Sequence, residues 1–195
     1  LNHQTEYLGE ALNWTKEFYP ETFATKTHEY QWSVIAAHPY IIASYLWNTF
    51  DFCAPMWVRG GVPARNMKGL LTFDRKIKKD SYFWYKANWS KEPVLYLTQR
   101  RNAVREKKET SITVYSNIGT PKVYLNGKEL TGVRKGYTDV HYIFDKVVLD
   151  DGKNVLKASL LHQGKEYTDE IEWNYNGECN READFLEHKK EHGSW

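Results

Sequence analysis

Lys122-Val123-Tyr124-Leu125-Asn126-Gly127-Lys128-Glu129-Leu130 is the stretch on which the fold turns. Asn-Gly is the dipeptide that best tolerates the positive φ angles of a two-residue hairpin turn, so 122–125 and 128–130 are predicted to pair across it. The same texture continues in both directions. Residues 94–99 and 111–116 read as strands upstream, with the charged stretch 100–109 between them. Downstream, 140–149, 154–161 and 166–173 are separated by Asp151-Gly152 and Gln163-Gly164. Six or seven short strands with turn signals about every 8–12 residues predict an immunoglobulin-like β-sandwich over residues 94–176.

Upstream of residue 93 the pattern differs. Pro20-Glu21-Thr22 opens a segment in which Phe23, Thr27, Tyr30, Val34 and Ala37 recur at helical spacing, predicting a helix to His38 that Pro39 ends. Ile41-Ile42-Ala43-Ser44-Tyr45-Leu46-Trp47 is an almost unbroken apolar run and predicts a strand buried on both faces, as in a parallel sheet. Residues 48–68, with Pro55, Gly60, Gly61 and Pro63, read as a long irregular loop, a kind that usually carries function. Gly69-Leu70-Leu71-Thr72-Phe73 is a short strand candidate and 75–79 a solvated basic run. Asp80 is placed as the cap of a second helix bearing Tyr82, Phe83, Tyr85, Lys86 and Trp89. Helix, buried strand, long loop and helix form an α/β succession. A break at Glu92-Pro93 divides the chain into 1–93, 94–176 and a polar tail, 177–195, with one helical turn around Ala183-Asp184-Phe185-Leu186.

Composition narrows the function. The chain has 195 residues, 41% hydrophobic and 27% charged, which excludes collagenous and disordered classes. It is short for a complete eight-stranded β/α barrel of about 250 residues. No apolar run reaches the roughly 18 residues of a membrane-spanning helix, and a net charge of +2 gives no electrostatic case for nucleic acid or an anionic membrane as partner. Cys53 and Cys179 match no zinc or redox spacing and are read as two free thiols. The opening residues Leu1-Asn2-His3-Gln4-Thr5-Glu6 lack the features of a signal peptide, so a mature or excised segment is expected. Aromatics are concentrated early: 19 of 30 lie before residue 96, six of the eight tryptophans among them.

Few residues carry a chemical signature. Trp47, at the carboxyl end of the apolar run, either packs the strand end or offers a flat face to a sugar ring. Asp51 alone is a loop or cap acceptor, because glycoside hydrolysis needs a carboxyl pair about 5–10 Å apart. The seven histidines form no metal-binding spacing, Ser33 and Ser44 lack a nucleophile elbow, and there is no phosphate-binding glycine loop. No metal or organic cofactor is expected. Asn66 and Lys68, an amide and an ammonium two residues apart, either decorate a turn or converge on one oxygen-rich group.

Taken together, three stretches resemble the C-terminal part of glycoside hydrolase family 2, the β-galactosidase and β-glucuronidase group. They are Ser44-Tyr45-Leu46-Trp47-Asn48-Thr49-Phe50-Asp51-Phe52, then Asn66-Met67-Lys68-Gly69-Leu70-Leu71-Thr72-Phe73-Asp74-Arg75, then Lys78-Lys79-Asp80-Ser81-Tyr82-Phe83-Trp84-Tyr85-Lys86-Ala87-Asn88-Trp89. Val114-Tyr115-Ser116-Asn117 and Val123-Tyr124-Leu125-Asn126-Gly127 extend the likeness, which runs over about residues 20–175.

The resemblance implies that 1–93 is the C-terminal portion of a (β/α)8 TIM barrel, with 41–47 as its last strand and 80–89 its last helix. It implies retaining hydrolysis of terminal β-galactosides, or β-glucuronides, by two glutamates. Thr5-Glu6-Tyr7-Leu8 is a poor match to the nucleophile motif, so both glutamates are expected upstream and no catalytic residue is assigned here. Trp47 would line the subsite of the cleaved sugar, and Asn66 and Lys68 match a pair that holds the uronate carboxylate in glucuronidases; a similar string occurs in galactosidase-like members, so the pair does not settle the sugar. Carbohydrate is the expected partner. The fragment is expected to be inactive alone and to self-associate through the exposed barrel surface. A non-catalytic carbohydrate-binding module and a purely structural, assembly-forming module are the rival readings.

Overall fold

The computed structural model describes residues 20–54, 64–66 and 68–177. The catalytic-motif candidate around Glu6, most of the irregular loop, Met67, Cys179 and the polar tail lie outside the described residues. These fall into two compact units, one running up to Tyr82 and the other starting at Phe83. That division lies inside a helix and ten residues before the Glu92-Pro93 break expected from composition.

In the first unit, α1 (Pro20–Ala36) begins with proline and carries Glu21 in its first turn, both suited to a helix N-terminus. The expected stripe is buried or half-buried only in its first half, and polar neighbours are buried beside it. Thr25, Thr27, His28 and Glu29 are buried, whereas Val34 and Ala37 are exposed. Thr27 donates its hydroxyl to the Phe23 carbonyl at 3.1 Å, the back-bond that lets a threonine sit inside a helix.

The strand expected over 41–47 does not form. Residues 41–46 have no regular structure, and Ile42 and Tyr45 are 97% and 93% exposed. A strand buried on both faces needs partners on either side, and among the described residues none pairs with this one. Two short strands follow, β1 (Phe52–Cys53) and β2 (Arg65–Asn66), paired antiparallel with Phe52 opposite Asn66. The 69–73 candidate is reduced to isolated bridges, Leu71 lying parallel to Phe50 and antiparallel to Lys78.

Helix α2 (Asp80–Trp89) starts where Asp80 was expected to cap it. The Asp80 N–H is held by Glu21 Oε1 at 2.9 Å. From Phe83 onward the helix belongs to the second unit. There Trp84 is fully buried, its indole tilted against Tyr115 and edge-on to His141, each 5.3 Å between ring centroids. Phe83 stacks on Tyr96 at 3.8 Å, and burial raises the Tyr85 phenol above its ordinary pKa.

The second unit continues as two facing sheets. Its strands are β3 (Leu95–Leu97), β4 (Val104–Arg105), β5 (Glu109–Ser116), β6 (Lys122–Leu125), β7 (Lys128–Glu129), β8 (Val133–Lys135), β9 (His141–Val148), β10 (Gly152–His162) and β11 (Lys165–Tyr175). One sheet has the order β3-β5-β9-β8, the other β4-β11-β10-β6-β7. All pairings are antiparallel except β11 with β4. The predicted hairpin is present, with Asn126 and Gly127 at φ 49° and 82°. Asn126 Oδ1 also accepts the Val155 N–H at 2.8 Å, tying the turn to β10.

Both sheets feed one core. Leu97, Ile112, Val114 and Phe144 come from the first sheet, and Val123, Leu156, Ile171 and Trp173 from the second. Arg105 lies over the Trp173 ring at 4.1 Å and donates to Gln99 Oε1 and Thr110 Oγ1, both at 2.7 Å. Burial lowers its pKa to about 10. Asn117 fastens the segment that enters β3. Its Oδ1 accepts the Val94 N–H at 2.8 Å, while its Nδ2 donates to the Ser90 and Glu92 carbonyls at 3.0 and 2.8 Å.

Candidate substrate-binding site

Trp47, Asn66 and Lys68 all lie in the first unit, on backbone held by a small set of hydrogen bonds. The Trp47–Asn48 peptide is cis. Beyond it, the Leu70 and Leu71 N–H groups donate to the Asn48 and Thr49 carbonyls at 3.1 and 3.0 Å, and the Asp51 N–H donates to the Leu71 carbonyl at 3.0 Å. Segment 48–51 is therefore zipped to 69–71, and β1, immediately following, to β2. This brings the carboxyl end of the apolar run beside the Asn66–Lys68 loop.

Trp47 is 64% exposed and meets Phe52 edge-on at 6.0 Å. Among the described residues, a large aromatic face of Trp47 is open to solvent. Phe52 is the strand partner of Asn66. Asn66 is buried, and its Oδ1 accepts the Lys68 N–H at 3.0 Å. The Asn66 carboxamide thus fixes the turn that carries Lys68, a side-chain-to-backbone bond two residues on that defines an Asx-turn. Phe52 links Trp47 to Asn66, and Asn66 links to Lys68.

Asp51 is an acceptor, as expected, but a buried one. Its Oδ1 takes the Gly69 N–H at 2.9 Å and Lys79 Nζ at 2.6 Å. Lys79 ends the basic run 75–79, for which the sequence predicts a solvated face. Instead its side chain is 8% exposed and that of Asp51 3%. A run of like charges marks a solvated face only on average, and here the last residue turns inward because a carboxylate waits 28 positions upstream. Sequence spacing held no signal for this pair. Burial, and after it the Lys79 charge, lowers the His28 pKa to about 4, so that imidazole is neutral at physiological pH.

Among the described residues no cluster of His, Cys, Asp or Glu is able to hold a metal ion. No helix among them is long and apolar enough to cross a membrane. Cys53 is an exposed free thiol. A concavity on the sandwich is lined by Ile118, Lys122, Leu160 and Glu166 and contains none of the residues singled out from sequence.

No family model matches the chain. A curated β-glucuronidase of Bacteroides fragilis is 34% identical over 178 residues, 90% of this chain and 25% of that protein. Among solved structures, a Bacteroides fragilis protein assigned as a β-galactosidase is 80% identical, with a TM-score of 0.83 over 93% of this chain and 27% of the other. The FMN-binding β-glucuronidase of Facaelibacterium prausnitzii L2-6 is 37% identical, with a TM-score of 0.72 over 84% of this chain and 24% of the other. The chain thus spans about a quarter of the length of each of these three relatives. Its resemblance to the β-galactosidase and β-glucuronidase group is borne out.

Proposed function

We propose that this chain, a relative of the β-glucuronidases and β-galactosidases, is the C-terminal part of a retaining β-glycosidase and supplies the non-catalytic wall of its sugar subsite. The single observation that carries this is the grouping of an exposed Trp47 with Asn66 and Lys68 through Phe52. An open indole suits the C–H face of a sugar, and an amide and an ammonium carried on one turn suit its oxygen-bearing edge. In this reading 1–93 is the end of the barrel, and 41–47 is its last strand, exposed here because the neighbouring strands belong to the upstream chain. The two glutamates that cleave the bond stand on that upstream part.

The sandwich supports the immunoglobulin-like assignment. Naming β3, β5, β9 and β8 as strands A, B, E and D, and β6, β10 and β11 as C, F and G, reproduces the division of strands between sheets in that fold.

Of the two sugars we favour a β-glucuronide. A cation beside an amide complements a carboxylate by charge-assisted hydrogen bonds, whereas a neutral galactoside makes no use of the charge. The similar structure assigned as a β-galactosidase keeps the galactoside as the second reading. In the full-length enzyme, Lys68→Met is expected to raise KM for 4-nitrophenyl β-glucuronide by about 100-fold while changing turnover of the β-galactoside less than about threefold. Equal effects on both substrates would favour the galactoside.

A further inference from the structure

We propose that the buried Lys79–Asp51 ion pair is the positioning device of the sugar-binding loop, setting where Asn66 and Lys68 stand without touching the sugar. This rests on the glycosidase reading above. Asp51 is tied to both ends of the Asn66–Lys68 loop. It adjoins Phe52, the strand partner of Asn66, and its Oδ1 accepts the N–H of Gly69, the residue after Lys68. The carboxylate therefore holds the residue that follows Lys68, and the strand that begins one residue after Asp51 pairs with Asn66 itself.

The approach at Gly69 is close. A Cβ there would lie 2.1 Å from the Asp51 nitrogen and 2.2 Å from the Phe50 carbonyl carbon, so loop and strand meet backbone to backbone. A neutral acceptor would be enough to bind the Gly69 N–H. Lys79 adds a charge-assisted bond to the same oxygen at 2.6 Å, leaving the carboxylate little freedom. Buried ion pairs add little net stability over apolar replacements, so stability alone does not account for one here. A rigid support does. Lys79 immediately precedes α2, whose Asp80 N–H is held by Glu21 of α1, so the pair connects the loop to two helix N-termini. A sugar subsite requires its polar groups held to within a fraction of an ångström, and that is the work of residues behind them.

The test is made in the full-length enzyme. Lys79→Met is expected to raise KM about 10-fold with kcat within about threefold, because subsite grip acts on ground and transition state alike. Lys79→Arg is expected to restore KM to within about threefold of wild type. Adding Lys79→Met to Asn66→Ala is expected to raise KM no more than about twofold further, since a group already removed has no position to lose. If Lys79→Met does not fold, Lys79→Met with Asp51→Asn, a neutral pair of similar shape, takes its place. An unchanged KM overturns the proposal, and so do Lys79→Met and Asn66→Ala effects that multiply.

Failure of the glycosidase reading has a separate signature: a full-length wild type that turns over no β-glycoside. In that case amide exchange in the 195-residue chain still decides on the loop. Gly69 exchanging about 10-fold faster in Lys79→Met supports its being held by the pair, and unchanged exchange overturns it.

Discussion

Gly69 and His141 are positions where one side chain decides the local structure. Gly69 lies against the backbone of Phe50 and Asp51 at distances no real Cβ adopts, and backbone gives way far less readily than the end of a side chain. Gly69→Ala is therefore expected to separate 69–71 from 48–51 and destabilise the first unit by about 3 kcal/mol or more. Denaturant unfolding followed by tryptophan fluorescence reads this, and a loss under about 0.5 kcal/mol would contradict it.

His141 is buried between Trp84 and Tyr115, and its Nδ1 accepts the Tyr137 N–H at 3.1 Å, so the neutral ring fits the site. Burial, and then the Arg134 charge, lower its pKa from 6.5 to about 4. The unfolded chain consequently takes up the proton first as pH falls. The stabilisation is complete above about pH 6.5 and is lost as pH falls toward 4, a total of about 3 kcal/mol. The denaturant midpoint of the sandwich should fall over that window, and His141→Asn should flatten the fall. A midpoint unaffected by pH would show that the ring is not buried neutral.

At the scale of elements, the exposed run 41–47 makes the sharpest prediction. Ile42→Lys and Tyr45→Lys are expected to change the stability of the 195-residue chain by less than about 0.5 kcal/mol, since both side chains are already in water. In the full-length protein the same pair is expected to cost several kcal/mol, about 3 or more, because buried unpaired charge would replace strand packing. Matching effects in both, measured by thermal unfolding, would remove the case for a barrel strand.

The sandwich was legible because alternation and turn dipeptides are local signals. Asn126-Gly127, Asp151-Gly152 and Gln163-Gly164 each stand where strands reverse or begin. Missed were β4 and β8, two and three residues long and carrying Arg105, Arg134 and Lys135. Short charged strands at sheet edges are how proteins blunt unwanted pairing, and they leave almost no hydrophobic pattern to read. Residues 41–47 failed in the opposite way: their pattern states what they can bury against, and the partner is not among the described residues. Asp51 and Lys79 were invisible as a pair because their contact is long-range and neither residue type departs from an ordinary loop or basic run.

For the whole molecule, composition and contacts both divide the chain, composition at Glu92-Pro93 and contacts ten residues earlier, between Tyr82 and Phe83. The unit from Phe83 onward closes a core from both sheets, whereas the described part of the first unit buries mainly polar groups on α1 and leaves Ile42, Tyr45 and Trp47 in water. A part that, among the described residues, has no closed core of its own suits the edge of a larger enzyme.

Hydrolysis of 4-nitrophenyl β-glucuronide and β-galactoside tests this most directly, measured side by side for the 195-residue chain and for the full-length protein that carries it. The expected result is turnover by the full-length protein, weakened through KM by Asn66→Ala and Lys68→Met, and none by the chain alone. Turnover by the 195-residue chain, or none by the full-length protein on either glycoside, would contradict it.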